Sequence, residues 1–268
     1  MHRELDVVHA RDARRNLGVP LAALDTTTLF VIGVVFLATL IRSTVGFGEA
    51  LIAVPLLAFR LPVAVAAPLA VLLSVLIAGL IVAQDWRHIE VRSAAGLIIA
   101  ALFGIPLGIL LLTRLNDHVV RTILGLVIAA FSAYSLAARS RLHFHADHRA
   151  LLLGAGFLSG ILGGAYGMNG PPLAIYGTLR RWTPQRFRAT LQGYFLPASL
   201  VGLIGYAVAG LWVPSITHYF LFSLPGVVAG VILGRTLNHR LRGDGFFKIV
   251  YAGLLVIGSV LVAQGMAR

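Results

Sequence analysis

The sequence contains no cysteine, which removes disulfides, thiol nucleophiles and thiolate metal sites from consideration. Charge is scarce as well. Only 12% of the 268 residues are Asp, Glu, Lys or Arg, against roughly 25% in soluble chains. Lysine occurs once, at Lys248, so 21 of the 22 basic residues are arginine. Residues 61–83 run for 23 positions without a charge, 93–113 for another 21, and 189–234 for 46 with His218 counted neutral. Either of the first two spans a hydrocarbon core of about 30 Å at about 1.5 Å per residue. The third is long enough for two crossings, with Gly210-Leu211-Trp212-Val213-Pro214 as the turn between them. These runs exclude an ordinary soluble domain and predict an all-α, multi-pass membrane protein.

Other absences narrow the function. Residues 1–25 are polar and basic, with no apolar core and no adjoining small-residue cleavage site, so they do not read as a cleaved signal peptide. They read as a surface-lying tail or as an over-extended translation start. No nucleophile elbow, Walker loop, His-Glu-x-x-His or dinucleotide fingerprint is present. The nine histidines form no metal signature; His143, His145 and His148 beside Asp147 read as a solvated loop. No metal and no cofactor are expected. A net charge of +12 would suggest nucleic acid in a soluble protein, but most of the arginines sit between apolar runs. They read as interfacial anchors, and nucleic acid is not an expected partner.

What the sequence does hold is a pattern written twice. A basic tail (1–26) precedes a first membrane repeat (27–138), a hydrophilic linker (139–149) and a second membrane repeat (150–268). Each repeat opens with an apolar stretch broken by glycine, 29–59 and 150–179. Each continues with a long helix (61–84, 186–209), a helix carrying a small-xxx-small pair (Gly104/Gly108, Gly226/Gly230) and a final span (118–138, 247–265). The glycine pairs read as close helix packing. Gly46-Phe47-Gly48-Glu49 and Gly167-Met168-Asn169-Gly170-Pro171-Pro172 stand 121 positions apart. Backbone breaks survive in lipid only where protein or a water-filled cavity satisfies them, and a matched pair of breaks points to a transporter's binding site.

If each broken segment is a hairpin that enters and leaves on one side, each half crosses the membrane an odd number of times and the halves are inverted. Thirteen basic residues then fall on the face of the linker and of Arg87, Arg180 and Arg188, against eight on the other, four of them in the tail. The tail's own cluster argues the opposite way.

Proline suits the first turn of a helix, so short helices are expected from Pro171 and from position 48. At about 11 or 12 residues they reach half-way across the bilayer. Two helix N-termini facing one another at the midplane make an anion site without any charged side chain. Gly46, Gly48, Gly170 and Pro171 are the candidate substrate-binding positions, Asn169 adds an amide donor where the first copy has Gly48, and Gln192 is placed to line the same cavity. Tyr194 reads equally as lining or core, and Arg188 as anchor or as an attractor of substrate. Arg42 and Glu49 are the only charges deep in the first break. Pairing, proton work by Glu49, and a snorkelling Arg42 with a helix-capping Glu49 are the alternatives.

The runs from Ile41 to Leu57 and from Gly160 to Tyr176, with Asp85-Trp86-Arg87 and Phe187-Arg188-Ala189-Thr190-Leu191 through Phe195, resemble the TauE/SafE sulfite-exporter family of anion transporters. The resemblance covers about 27–265. It implies transport of sulfite, sulfoacetate or related organosulfonates, with proton coupling as an option, and places Gly46, Gly48, Gly167, Gly170 and Pro171 in paired breaks. Glu49 departs from the family's commoner glycine.

The expected protein is therefore a secondary transporter of a small anion in the cell inner membrane, working by alternating access. Its partners are that anion and the bilayer, and a homo-oligomer is compatible with it. The alternative is a membrane-embedded enzyme such as a lipid-pyrophosphate phosphatase, which would need more acid, base and phosphate-gripping side chains than Arg42, Ser43, Thr44 and Glu49 supply. A passive channel ranks below both, since channels usually repeat rings through symmetry.

Overall fold

The computed structural model describes residues 25–137, 149–180, 182–238 and 244–266. Most of the N-terminal tail and of the linker, including the His143, His145, His148 and Asp147 group, lies outside the described residues, as does Arg181.

The described residues form ten α-helices and no strand: α1 (Thr26–Val45), α2 (Glu49–Leu57), α3 (Val63–Asp85), α4 (Val91–Arg114), α5 (Asp117–Ala137), α6 (Arg149–Tyr166), α7 (Gly170–Leu179), α8 (Pro184–Val208), α9 (Pro214–Asn238) and α10 (Asp244–Met266). A 3-10 turn, Trp86–His88, links α3 to α4. Seven of the helices are long and apolar enough to cross a membrane, as the charge-free runs predict. The small-residue pairs pack helices as expected. Their partners, however, are distant in the chain.

The closest pairing is α4 with α6, where no side chain fits at the crossing. A Cβ on Gly104 would meet the Phe157 carbonyl oxygen at 2.2 Å, and one on Gly108 the Ile161 carbonyl oxygen at 2.1 Å. Gly164 lies against Ile105 and Ile109 in return, so contacts advance in step and the two helices run parallel. Helices α1 and α9 do the same: Gly226 faces Ile32 and Phe36, Gly230 faces Phe36 and Thr39, and Gly234 faces Leu40 and Ser43.

Two other pairs run the opposite way. Gly79 of α3 faces Leu196 of α8 while Gly202 faces Val71, which makes them antiparallel. Gly125 faces Gly258 and Val262, and Gly265 faces His118 and Thr122, so α5 and α10 are antiparallel too. In chain order α3 and α8 hold the same place among the first and last five helices, as do α5 and α10.

These directions fix the short helices. Arg60, just before α3, lies over the Phe30 ring near the start of α1 at 5.0 Å, so α1 and α3 begin at one end and α2 must turn back to reach the start of α3. Helix α7 likewise reverses the course of α6 before α8 begins. Both openings are hairpins that return to the side they entered. At 9 and 10 residues α2 and α7 are about 14–15 Å long, slightly shorter than the sequence suggested, because the chain leaves the helix at Ala58 and at Arg180.

At its far end the first hairpin is tied down by α5. Arg121 donates to the carbonyl oxygens of Ala58 and Leu61 while bonding Asp117, whose carboxylate accepts from the Val63 N–H at 3.4 Å. One side-chain pair thus holds the end of α2 and the start of α3.

Candidate functional site

The two breaks open onto one pocket. Helix α1 closes at Gly46 (φ 96°), whose N–H returns to the Arg42 carbonyl at 2.6 Å, and α2 starts after Gly48 (φ 97°). Both angles lie in the left-handed region that favours glycine. On the other side Gly167 (φ 67°) ends the turn after α6, with its N–H on the Gly163 carbonyl at 2.8 Å. Asn169 is the N-cap of α7, and Ser159 donates to its backbone carbonyl at 2.6 Å.

The pocket between them is lined by Arg42, Gly48, Glu49, Ala50 and Leu51 from the first hairpin, by Gly167, Met168, Asn169, Gly170 and Pro171 from the second, and by Ser74 and Phe195 from the crossing helices α3 and α8. Gly170 faces Phe47 of the first break: a Cβ on Gly170 would sit 3.2 Å from the Phe47 ring.

Of the residues the sequence singled out, the structure brings Arg42, Gly48, Glu49, Asn169, Gly170 and Pro171 around this one space. Gly46 is outside the lining and serves through its carbonyl, which accepts from the Gln192 amide at 2.6 Å. Gln192 also lies behind the pocket, its oxygen taking a hydrogen bond from Arg42 Nη2 at 2.7 Å. It positions rather than lines. Tyr194 is wholly buried away from the pocket.

Arg42 does not snorkel. Its side chain is 3% exposed and forms an ion pair with Glu49, itself 1% exposed. Its Nη1 also donates to the Ser74 hydroxyl at 3.0 Å, and the guanidinium carbon lies 5.5 Å from the centre of the Phe195 ring. Removing two charges from water is costly unless geometry and added hydrogen bonds compensate, and Ser74, Gln192 and the ring are those additions. Hydrogen-bonding capacity remains unspent: Arg42 Nε, Glu49 Oε1 and Asn169 Oδ1 are buried with no partner among the described residues. Buried polar atoms usually find one.

The two helix starts are not equivalent donors. In α2 the first bond inside the helix runs from the Ile52 N–H to the Gly48 carbonyl at 3.2 Å, which leaves the N–H groups of Glu49, Ala50 and Leu51 without an intrahelical acceptor. In α7 the second and third residues are Pro171 and Pro172, which have no N–H to offer. The second end therefore gives its dipole, the Gly170 N–H and the Asn169 amide, where the sequence suggested two matching N–H sets.

Sequence reasoning missed Ser74 and Phe195. Ser74 had a signal, being the only polar side chain in the apolar run 61–83. Phe195 had one too, standing three residues beyond Gln192 on the same helix face and closing the run that carries the family resemblance.

The family model described as "Sulfite exporter TauE/SafE" matches residues 31–261, which takes in every residue lining the pocket. The chain belongs to the sulfite exporter TauE/SafE family. A curated relative, described as the "Probable sulfite/organosulfonate exporter TauE" of Cupriavidus necator, is 24% identical over 184 residues, covering 68% of this chain and 72% of the relative. No solved structure matches. Both breaks, the pocket and the crossing helices α3 and α8 thus fall inside the part of the chain that this family shares.

Proposed function

We propose that this TauE/SafE-family protein is a secondary transporter of a small sulfur oxyanion or organosulfonate, acting in the cytoplasmic membrane by alternating access and coupled to protons through Glu49. The observation that carries the reading is that two oppositely entering hairpins end on one buried pocket containing an Arg–Glu pair.

The arrangement suits alternating access. The antiparallel packing of α3 with α8 and of α5 with α10 is what a two-fold axis in the membrane plane requires of equivalent helices, and it supports reading the two halves as inverted repeats. Rocking one half against the other exposes the pocket to either side in turn. The arginine-rich face is the cytoplasmic one under the positive-inside rule.

Anion and proton then share one pair. With Glu49 ionised, its carboxylate occupies Arg42 and the pocket is neutral. Protonation of Glu49 frees the guanidinium, and the anion's oxygens take the vacated place, aided by the N–H groups at the start of α2 and by the Asn169 amide. The substrate class follows from that chemistry and from the description of the Cupriavidus necator relative. The enzyme alternative has little to work with, since among the described residues Arg42, Glu49 and Ser74 are the only charged or hydroxyl side chains lining the pocket.

Flux of radiolabelled sulfite in proteoliposomes, with sulfate and methanesulfonate as competitors and with or without a pH gradient, tests this. Saturable uptake of sulfite accelerated by an inwardly directed proton gradient is expected. Correctly folded protein that moves none of the three would overturn the reading.

A further inference from the structure

An asparagine before a helix ordinarily caps it, its side-chain oxygen accepting from the N–H of the second or third helical residue. Helix α7 gives Asn169 nothing of the kind. Its second and third residues are Pro171 and Pro172, which have no N–H. Asn169 accordingly makes no side-chain cap bond, and its backbone is helical (φ −73°, ψ −18°) where a cap residue is ordinarily extended. The side chain is nonetheless buried and lines the pocket. An amide in that place has two ends to dispose of, an oxygen that repels an anion and an NH2 that binds one.

The oxygen is the end turned inward. A Cβ built on Gly163 of α6 would overlap Asn169 Oδ1 and stand 2.8 Å from Cγ and 3.5 Å from Nδ2. The oxygen therefore fills the hollow that this glycine leaves, and the nitrogen lies farther out. The three atoms nearest to that Cβ all belong to the Asn169 side chain. Gly164, next in the chain, differs: its Cβ would strike the backbone of Ile105. Gly164 serves the α4–α6 crossing, and Gly163 serves the amide. Turning the amide over would gain nothing, because the Gly163 carbonyl already accepts from the Tyr206 hydroxyl at 3.0 Å and from the Gly167 N–H at 2.8 Å. Those two bonds occupy both lone pairs of the oxygen. Oδ1 itself is buried without a donor among the described residues.

From this geometry we infer that Gly163 is a positioning residue of the anion site, seating the Asn169 oxygen against α6 so that the amide NH2 is presented to the anion. The inference rests on the anion-transport reading and deepens it. It explains how the second hairpin still donates although its prolines withhold two N–H groups, and why an asparagine precedes a helix that it does not cap.

The test compares Gly163→Ala with Asn169→Ala, with the double variant and with Gly154→Ala, whose methyl enters open space on the same helix. Sulfite KM is measured in proteoliposomes. In Gly163→Ala it should rise roughly tenfold, as expected for one lost hydrogen bond to a charged group, while kcat changes far less. Asn169→Ala should raise KM by a similar factor. The double variant should be no worse than either single one, because both substitutions remove the same interaction. Gly154→Ala should match wild type. Asn169→Asp, which sets an oxygen where the NH2 stands, should raise KM beyond Asn169→Ala, and it keeps the test decisive if Gly163→Ala does not fold. Additive effects in the double variant, an unchanged KM in Gly163→Ala, or an Asn169→Asp no worse than Asn169→Ala would overturn the inference. A wild-type protein that moves no sulfite overturns it together with the transport reading, whereas normal wild-type flux with an indifferent Gly163→Ala overturns it alone.

Discussion

Arg42 and Glu49 are seven positions apart in the chain, and their side chains form an ion pair with both ends buried. Along one continuous helix, residues seven apart are separated by about 10.5 Å of rise, too far for such a pair. The break at Gly46–Gly48 folds the chain back and brings the two charges together. The pair is a product of the break, and anything that alters one alters the other.

Glu49→Gln keeps the shape of the side chain and removes its ionisation. Sulfite flux in that variant should lose its dependence on pH while retaining a measurable rate. The profile of initial rate against pH, run beside wild type, checks this, and an unchanged profile would remove Glu49 from proton coupling. Stability should fall as well, because a buried arginine left without its partner costs about 3–5 kcal/mol.

Gly170→Leu should abolish flux while the protein still inserts. The new side chain enters between the hairpins against the Phe47 ring, which already stands 3.2 Å from where a Cβ would be. Overpacking of this kind costs about 1–3 kcal/mol, enough to displace a hairpin but not to unfold ten helices. Size-exclusion profiles and uptake measured on one preparation separate the two effects, and normal uptake would count against the paired site.

Gly108→Val should prevent folding altogether. Its Cβ would lie 2.1 Å from the Ile161 carbonyl oxygen and 2.6 Å from the Ala165 nitrogen, both backbone atoms that cannot step aside. The α4–α6 contact would have to separate, and with it the second hairpin would lose its support. The yield of monodisperse protein in mild detergent is the readout, with a near-normal yield as the contrary result.

Arg121→Gln should lower thermal stability through the loss of hydrogen bonds to the Ala58 and Leu61 carbonyls, at about 1–3 kcal/mol for charged donors. Sulfite KM should change little because Arg121 lies at the far end of α2 from the pocket. A large KM change with unchanged melting temperature would contradict its role as a tether.

Much of this was legible in the sequence, for reasons that can be named. The breaks announce themselves because glycines cluster there beside a charge or a proline pair inside an apolar run, and Gly46, Gly48 and Gly167 do take the positive φ such turns need. Arg42 and Glu49 stand out because lipid tolerates so few charges. The small-residue pairs were readable as packing surfaces, but their partners were not: Gly104 meets Phe157 and Gly226 meets Phe36, choices made by tertiary assembly and not by local spacing. The role of Phe195 stayed unread for the same cause, as its ring counts only once Arg42 is brought over it. The weak donor set at α7 stood in plain view as Pro171-Pro172, whose dipole contribution was easier to see than their missing N–H groups.

If both hairpins build one anion site, ligand binding depends on each of them. The unfolding temperature of the purified protein should rise with added sulfite or methanesulfonate, as it does for any ligand that binds only the folded state. Ala50→Leu fills the pocket from the first hairpin and Gly170→Leu from the second. Either substitution alone should remove the shift. A shift that persists undiminished in either variant would contradict a site shared between the two halves.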